Sequence, residues 1–173
     1  KTLIEQIDNL SRIAGTFSNF ARMPEAHFIQ VDIAARLYSV VQLFEHSHEE
    51  IRFEYTGHKS DIYVFADPEQ LVQVFNNLLK NAIQSIPATR EGIVRISLLK
   101  NGKETCIEIS DNGIGIPEAL QEKLFLPNFT TKNTGMGLGL TIAKNIIENS
   151  GGNINFSTKI NEGTTFKVCF PNE

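Results

Sequence analysis

The 173-residue chain lacks most of the features that usually announce a function. It has no apolar run near the length a bilayer demands, so no segment reads as a membrane span, and no secretory leader is visible. Basic charge is not in excess. The formal net charge is −4, which removes the electrostatic footprint of a nucleic-acid surface. The only two cysteines, Cys106 and Cys169, lie far apart in strand-like segments, a pattern that predicts two reduced thiols rather than a disulfide or a metal pair. There is no internal repeat and no low-complexity tract. Two common nucleotide-binding patterns are also missing. Gly102-Lys103 is followed by Glu104, where a Walker loop needs Ser or Thr, and position 118 is Glu, where a dinucleotide fingerprint opening at Gly113 needs its third glycine. The histidines His27, His46, His48 and His58 fall in turns or at helix ends. His46 and His48, two residues apart, point to different helix faces, so solvated side chains are expected there rather than a metal site, and none reads as a phosphate acceptor. Because the chain opens on Lys1 and not Met, it reads as a piece of a longer protein.

What is present is an ordinary globular composition, 41% hydrophobic and 21% charged, on a chain long enough to bury a core. Residues 2–22 read as one helix. Leu3, Ile7, Leu10, Ala14, Phe17 and Ala21 form a heptad seam that Ile4, Ile13 and Phe20 widen, and Pro24 stops it. Asp32 is a candidate N-cap for a second helix burying Ile33, Leu37, Val40, Val41 and Phe44. Strand-like pieces follow at 51–55 and 62–66. Asp67-Pro68 caps and starts a third helix, with Leu71, Phe75, Leu78, Ala82 and Ile86 inward, and Pro87 ends it. Residues 93–99 and 105–110 form a hairpin with Asn101-Gly102 at the turn, and a short helix starts at Pro117. The stretch 125–137 reads as a mobile loop, 138–149 as a helix ended by Gly151-Gly152, and 153–159 and 164–170 as strands. Strands in one layer with helices against one face make an α+β domain, a two-layer α/β sandwich.

Three stretches carry candidate chemistry. Asn77 and Asn81 stand four residues apart on one helix face, where two carboxamide oxygens can meet a hydrated Mg²⁺ and its phosphates. Taken alone, such a pair is more often plain helix surface. Asp111 ends a strand, and Gly113 and Gly115 follow it. A carboxylate there can accept from an exocyclic amine such as adenine N6, although Asp-Asn-Gly is also a common turn string. Gly135, Gly137, Leu138 and Gly139 lead straight into a helix, whose free N–H groups suit phosphate oxygens. The loop before them, Phe125 to Lys132, offers two aromatics, two hydroxyls and a cation, fit for a lid over a nucleotide. The competing reading has Phe125 or Phe129 simply plugging the core.

In this order the motifs resemble the catalytic ATP-binding domain of bacterial two-component sensor histidine kinases. That domain has the Bergerat fold, shared with DNA gyrase, mismatch-repair and heat-shock chaperone ATPases. Asn77–Ala82 resembles the N box, Asp111–Gly115 the first glycine box, Phe125–Lys132 the F box and lid, and Gly135–Leu140 the second glycine box. Gly163-Thr164-Thr165 resembles the short motif near adenine. The likeness covers about residues 30–173, and Phe20–Pro24 with the Thr130-Thr131-Lys132 lid looks most like the nitrogen-regulation class.

The resemblance implies that Asn81 coordinates Mg²⁺ with Asn77 in support, that Asp111 and Thr165 hold adenine, and that Gly113 and Gly115 let the loop close on the base. It implies that Gly135, Gly137, Leu138 and Gly139 border the phosphates, with Lys80 and Lys132 neutralising their charge. It divides the chain into 1–23, the end of a dimerisation and phosphoacceptor hairpin, and 24–173, the catalytic domain. The partners implied are ATP, the acceptor hairpin, a response regulator receiver domain and a second copy in the full-length protein, with the catalytic part cytoplasmic. The acceptor histidine is missing from this stretch, so self-phosphorylation is not expected of it. An anti-sigma-type nucleotide-dependent binding module or serine kinase is the alternative. It is opposed by Asn77, because its ATP-hydrolysing and serine-kinase counterparts carry a glutamate there and an amide cannot take a proton.

Overall fold

A computed structural model describes residues 25–127 and 137–172. The expected helix over 2–22, and with it Phe129, Thr130, Thr131, Lys132 and Gly135, lie outside the described residues. Strand β1 (Ile29–Asp32) runs directly into helix α1 (Ile33–Ser47). Asp32 serves both elements: Oδ1 accepts from the Ala35 N–H at 3.0 Å as the helix N-cap, and Oδ2 accepts from the Asp61 N–H at 2.8 Å. The five residues expected on the inner face of α1 are all buried.

Strands β2 (Ile51–Gly57) and β3 (Tyr63–Ala66) follow, then helix α2 (Pro68–Ser85), with proline in its first turn. Asp67 caps α2. Its Oδ1 accepts from the N–H groups of Glu69 and Gln70 at 2.9 and 3.0 Å, and Oδ2 from that of His27 at 2.7 Å. Ile86, expected on the inner face of this helix, stands past its end as the C-cap and is half-buried. Next come β4 (Gly92–Lys100) and β5 (Glu104–Asp111), the short α3 (Glu118–Gln121), α4 (Gly139–Asn149), β6 (Asn153–Lys159) and β7 (Gly163–Pro171).

The strands fall in two sheets rather than one. β1 and β3 form a small antiparallel pair, and the main sheet has the order β2-β4-β5-β7-β6. In the main sheet, among the described residues, β2–β4 is parallel and the other pairings are antiparallel. The sequence reading missed β1 because its four residues end at the Asp32 cap, leaving too short a run for alternation to declare itself.

One face of the main sheet carries Val94, Ile96, Leu98, Ile107, Ile109, Ile154, Phe166, Val168 and Phe170, all buried. Helix α2 packs on β4, β5 and β7 and lies between α1 and α4, so two layers enclose one core. The other face is tied by cross-strand pairs. Arg95 Nε meets Glu54 at 2.8 Å, Lys167 Nζ meets Glu108 at 3.2 Å, and Ser110 Oγ and Thr165 Oγ1 stand 2.7 Å apart.

Cys106 and Cys169 lie opposite each other in the β5–β7 register and form a disulfide, with Cα atoms 4.1 Å apart. This corrects the expectation of two separate thiols. A separation of 63 residues hid the pairing, because only the return of β7 alongside β5 brings the two together.

Candidate nucleotide-binding site

The site is built on the outer flank of α2. Asn77, Asn81 and Ser85 are half-buried and recur every four residues, so all three share one helix face. The first and last lie about 12 Å apart along the axis at 1.5 Å per residue. At the far end Ser85 Oγ donates to Asp111 Oδ1 at 2.7 Å. Asp111 is 8% exposed, and the same Oδ1 accepts from the Gly113 N–H at 2.8 Å and the Thr164 N–H at 3.3 Å. Burial of a carboxylate is tolerable with this many donors, and they fix its orientation at the edge of the sheet.

Two glycines give the loop after β5 room for close backbone contacts. A Cβ at Gly113 would stand 2.2 Å from Ser85 Oγ and 2.7 Å from Asp111 Oδ1. At Gly115, where φ is +71°, it would stand 2.3 Å from the Lys159 carbonyl oxygen. Gly113 therefore permits close approach at Asp111, whereas Gly115 lets the loop after β5 pass against the end of β6.

At the other end of the face, Asn77 Nδ2 donates to the Gly139 carbonyl at 3.1 Å. With its nitrogen committed there, the Asn77 oxygen is the atom that can meet a cation. Gly137 has φ +66°, Leu138 is buried, and α4 starts at Gly139 without a side-chain cap. The positive end of that helix therefore lies beside the amide-bearing face of α2. Lys80 is exposed on α2.

Two expected residues are placed differently. Thr165 pairs with Ser110 on the face of the sheet away from the helices, whereas Thr164 lies on Asp111's side, its N–H bonded to Asp111 and its Oγ1 2.9 Å from Thr158 Oγ1. The threonine of the Asp111 cluster is thus Thr164, and strand alternation, which puts neighbours on opposite faces, is the signal that identifies it. Phe125 is half-buried and packs against the core, its ring 6.0 Å from that of Phe156, which favours the competing reading. Ser85 went unremarked in the sequence although it continues the four-residue recurrence of Asn77 and Asn81. A cleft of about 240 Å³ opens between Asp111, Ser157–Lys159 and Glu162–Thr165; it reaches the carboxylate but not the two asparagines.

The fold and site together are those of an ATP-binding domain of the Bergerat type. Residues 66–173 match the family described as "Histidine kinase-, DNA gyrase B-, and HSP90-like ATPase", and the chain belongs to that family. Among curated relatives, it is 30% identical over 173 residues to the sensor histidine kinase ZraS of Escherichia coli (strain K12), covering 99% of this chain and 37% of that protein. It is 34% identical over 158 residues to the nitrogen regulation protein NtrY of Azorhizobium caulinodans, covering 88% of this chain and 20% of that one. Its structure is similar to the catalytic domain of histidine kinase ThkA, with TM-score 0.74, 33% identity, and coverage of 84% of this chain and 95% of that one. It is also similar to ThkA in complex with the response regulator protein TrrA, with TM-score 0.77, 28% identity, and coverage of 98% of this chain and 49% of that one. The chain spans less than two fifths of the length of these curated relatives. Among the described residues, no helix is long and apolar enough to cross a membrane.

Proposed function

We propose that this chain is the catalytic part of a two-component sensor kinase of the nitrogen-regulation type. It binds Mg²⁺-ATP and delivers the γ-phosphoryl group to a histidine on an acceptor hairpin, for relay to a response regulator receiver domain in the cytoplasm. The observation that carries this reading is the single face of α2 that holds Asn77, Asn81 and, through Ser85, Asp111. One nucleotide laid along that face has its adenine at Asp111 and its phosphates at Asn81, Asn77 and the start of α4. Residues 1–23 belong on this reading to the hairpin, which also joins two copies of the full-length protein.

The donor set fits a hard cation: two neutral amide oxygens, with the balance of the coordination sphere left to phosphate and water. Bound Mg²⁺ supplies neutralisation of charge on the phosphates. The chain's own residues do the rest. Asp111 accepts from the exocyclic amine and selects adenine. Asn77 braces the start of α4 against α2, and the N–H groups of that start receive phosphate oxygens. No carboxylate stands at position 77 to take a proton from water or serine, whereas a neutral imidazole already has its lone pair, so positioning and charge account for the transfer.

The test supplies the chain with γ-labelled ATP and a separate acceptor hairpin. Acid-labile, base-stable label on the hairpin supports the reading; its absence, with ATP bound, overturns the kinase assignment. Asp111→Asn is expected to weaken ATP binding by about 1.5–3 kcal/mol, the worth of a charge-assisted hydrogen bond, and to narrow the preference for ATP over GTP. An unchanged preference would remove Asp111 from the base.

A further inference from the structure

Arg90 lies in the connection between α2 and β4, half-buried, and its guanidinium makes no ion pair with a carboxylate among the described residues. Instead a single nitrogen, Nη1, shares its two N–H groups among three backbone carbonyls: those of Asn112, Gly113 at 3.0 Å and Asn161 at 3.0 Å. The first two belong to the loop leaving β5 just after Asp111, and the third to the β6–β7 turn. Both segments flank the cleft beside Asp111 and Thr164.

We propose that Arg90 is a positioning residue for base recognition, a clamp that sets the orientation of the Asp111 carboxylate by holding the Asn112–Gly113 peptide and the β6–β7 turn together. This rests on the reading that adenine is held at Asp111. A trans peptide is planar, with its C=O and N–H pointing in opposite directions. Drawing the Asn112 carbonyl toward Arg90 therefore turns the Gly113 N–H the other way, and that N–H donates to Asp111 Oδ1 at 2.8 Å. The contact with Asn161 holds the turn that leads into Gly163 and Thr164, whose N–H is another donor to the same oxygen.

The clamp is separable from the fold. Asn112 is fastened independently at the start of β4: Oδ1 accepts from the Ile93 N–H at 2.9 Å, and Nδ2 donates to the carbonyl of Glu91, just before the strand, at 2.8 Å. Loss of Arg90 leaves those bonds in place, as well as the Ile114 N–H to Ser85 carbonyl bond at 3.1 Å and the Asn161 N–H to Ile114 carbonyl bond at 2.9 Å, and releases the Asn112, Gly113 and Asn161 carbonyls. All three carbonyls are met by one nitrogen, so a lysine ammonium with its three protons can substitute in part, although its stem ends about one bond short.

The experiment measures ATP and GTP affinities of the whole chain by calorimetry for the parent, Arg90→Ala, Arg90→Lys and Asp111→Asn, with urea unfolding in parallel. Arg90→Ala is expected to lose about tenfold in ATP affinity and to narrow the ATP-to-GTP ratio with a small change in unfolding midpoint, as for one charge-assisted contact set. Arg90→Lys is expected to fall between it and the parent. Millimolar guanidinium chloride is expected to restore ATP affinity in Arg90→Ala, where equal sodium chloride does not. Should Arg90→Ala fail to fold, Arg90→Met, which keeps the stem and removes the donors, takes its place. Parent-like affinity and base preference in the alanine or methionine variant overturn the clamp, and so does a loss that guanidinium leaves uncorrected. If Asp111→Asn alone alters base preference, the adenine reading stands and only the clamp fails; if neither variant alters it, the adenine reading has failed.

Discussion

Gly163 passes against Asp111 so closely that a Cβ built on it would stand 1.9 Å from the Asp111 carbonyl oxygen. Its φ of +116° is also one that side-chain-bearing residues rarely adopt. The start of β7 is thereby held against the end of β5, which is what brings the Thr164 N–H to the carboxylate. Gly163→Ala faces a backbone contact that no rotamer change relieves. Its unfolding free energy, read from urea titration, is expected to fall by more than the roughly 1–3 kcal/mol of backbone strain alone, with ATP affinity falling too. Gly102, where an added Cβ meets nothing within 4 Å, is the matched control: Gly102→Ala should leave both quantities as they are.

Asn81 has a role separable from the fold because alanine is the better helix former. Asn81→Ala should keep the helical circular dichroism of the parent. Titrated with ATP in Mg²⁺ and then in chelator, the parent is expected to lose affinity without the metal, whereas the variant should show the same weak affinity in both. A variant that kept the full metal dependence would take Asn81 out of the coordination sphere.

Helices were the legible part of this chain, and the reason is chemical punctuation. Asp32 and the Asp67-Pro68 pair announce starts, and the inner stripes of α1 and α2 recur at helical spacing over three turns or more. The β4–β5 hairpin was legible through Asn101-Gly102. Pairings between strands distant in sequence left no local trace, which is why neither the Cys106–Cys169 bond nor the partnership of β1 with β3 could be read. The site divided in the same way. Asn77, Asn81 and Asp111 sit in short motifs, whereas Ser85, Arg90 and the choice of Thr164 over Thr165 follow from which face of an element meets which loop.

Asp67 gives the fold an acid limit. Burial pushes its carboxyl up, but backbone N–H groups of Gln70, His27 and Glu69 outweigh that and hold it below the ordinary 3.8. A carboxylate depressed in the folded state contributes stability that is fully present above the unfolded pKa. That stability is lost as the pH falls through the folded value. Unfolding free energy should therefore be flat near neutrality and decline below about pH 4–5. Asp67→Asn, which keeps a capping oxygen and cannot titrate, should show a shallower acid decline. Asp67→Ala should cost about 1–2 kcal/mol at neutral pH through loss of the cap.

The cross-strand bond between Cys106 and Cys169 predicts a stability that depends on redox state while nucleotide binding does not. The pair lies on the face of the sheet opposite the helices, with Glu108–Lys167 and Ser110–Thr165, whereas Asp111 points to the helix side. Closing a loop across 63 residues removes chain entropy from the unfolded state worth up to about 4 kcal/mol, as judged by loop length. Thiol reductant should lower the urea midpoint of the parent toward that of Cys106→Ser, and should leave the midpoint of Cys106→Ser itself unmoved. ATP affinity should be the same in both states. A fall in affinity on reduction would mean that strain is passed along β5 and β7 to the carboxylate; an unmoved midpoint would mean that the two thiols are not joined in solution.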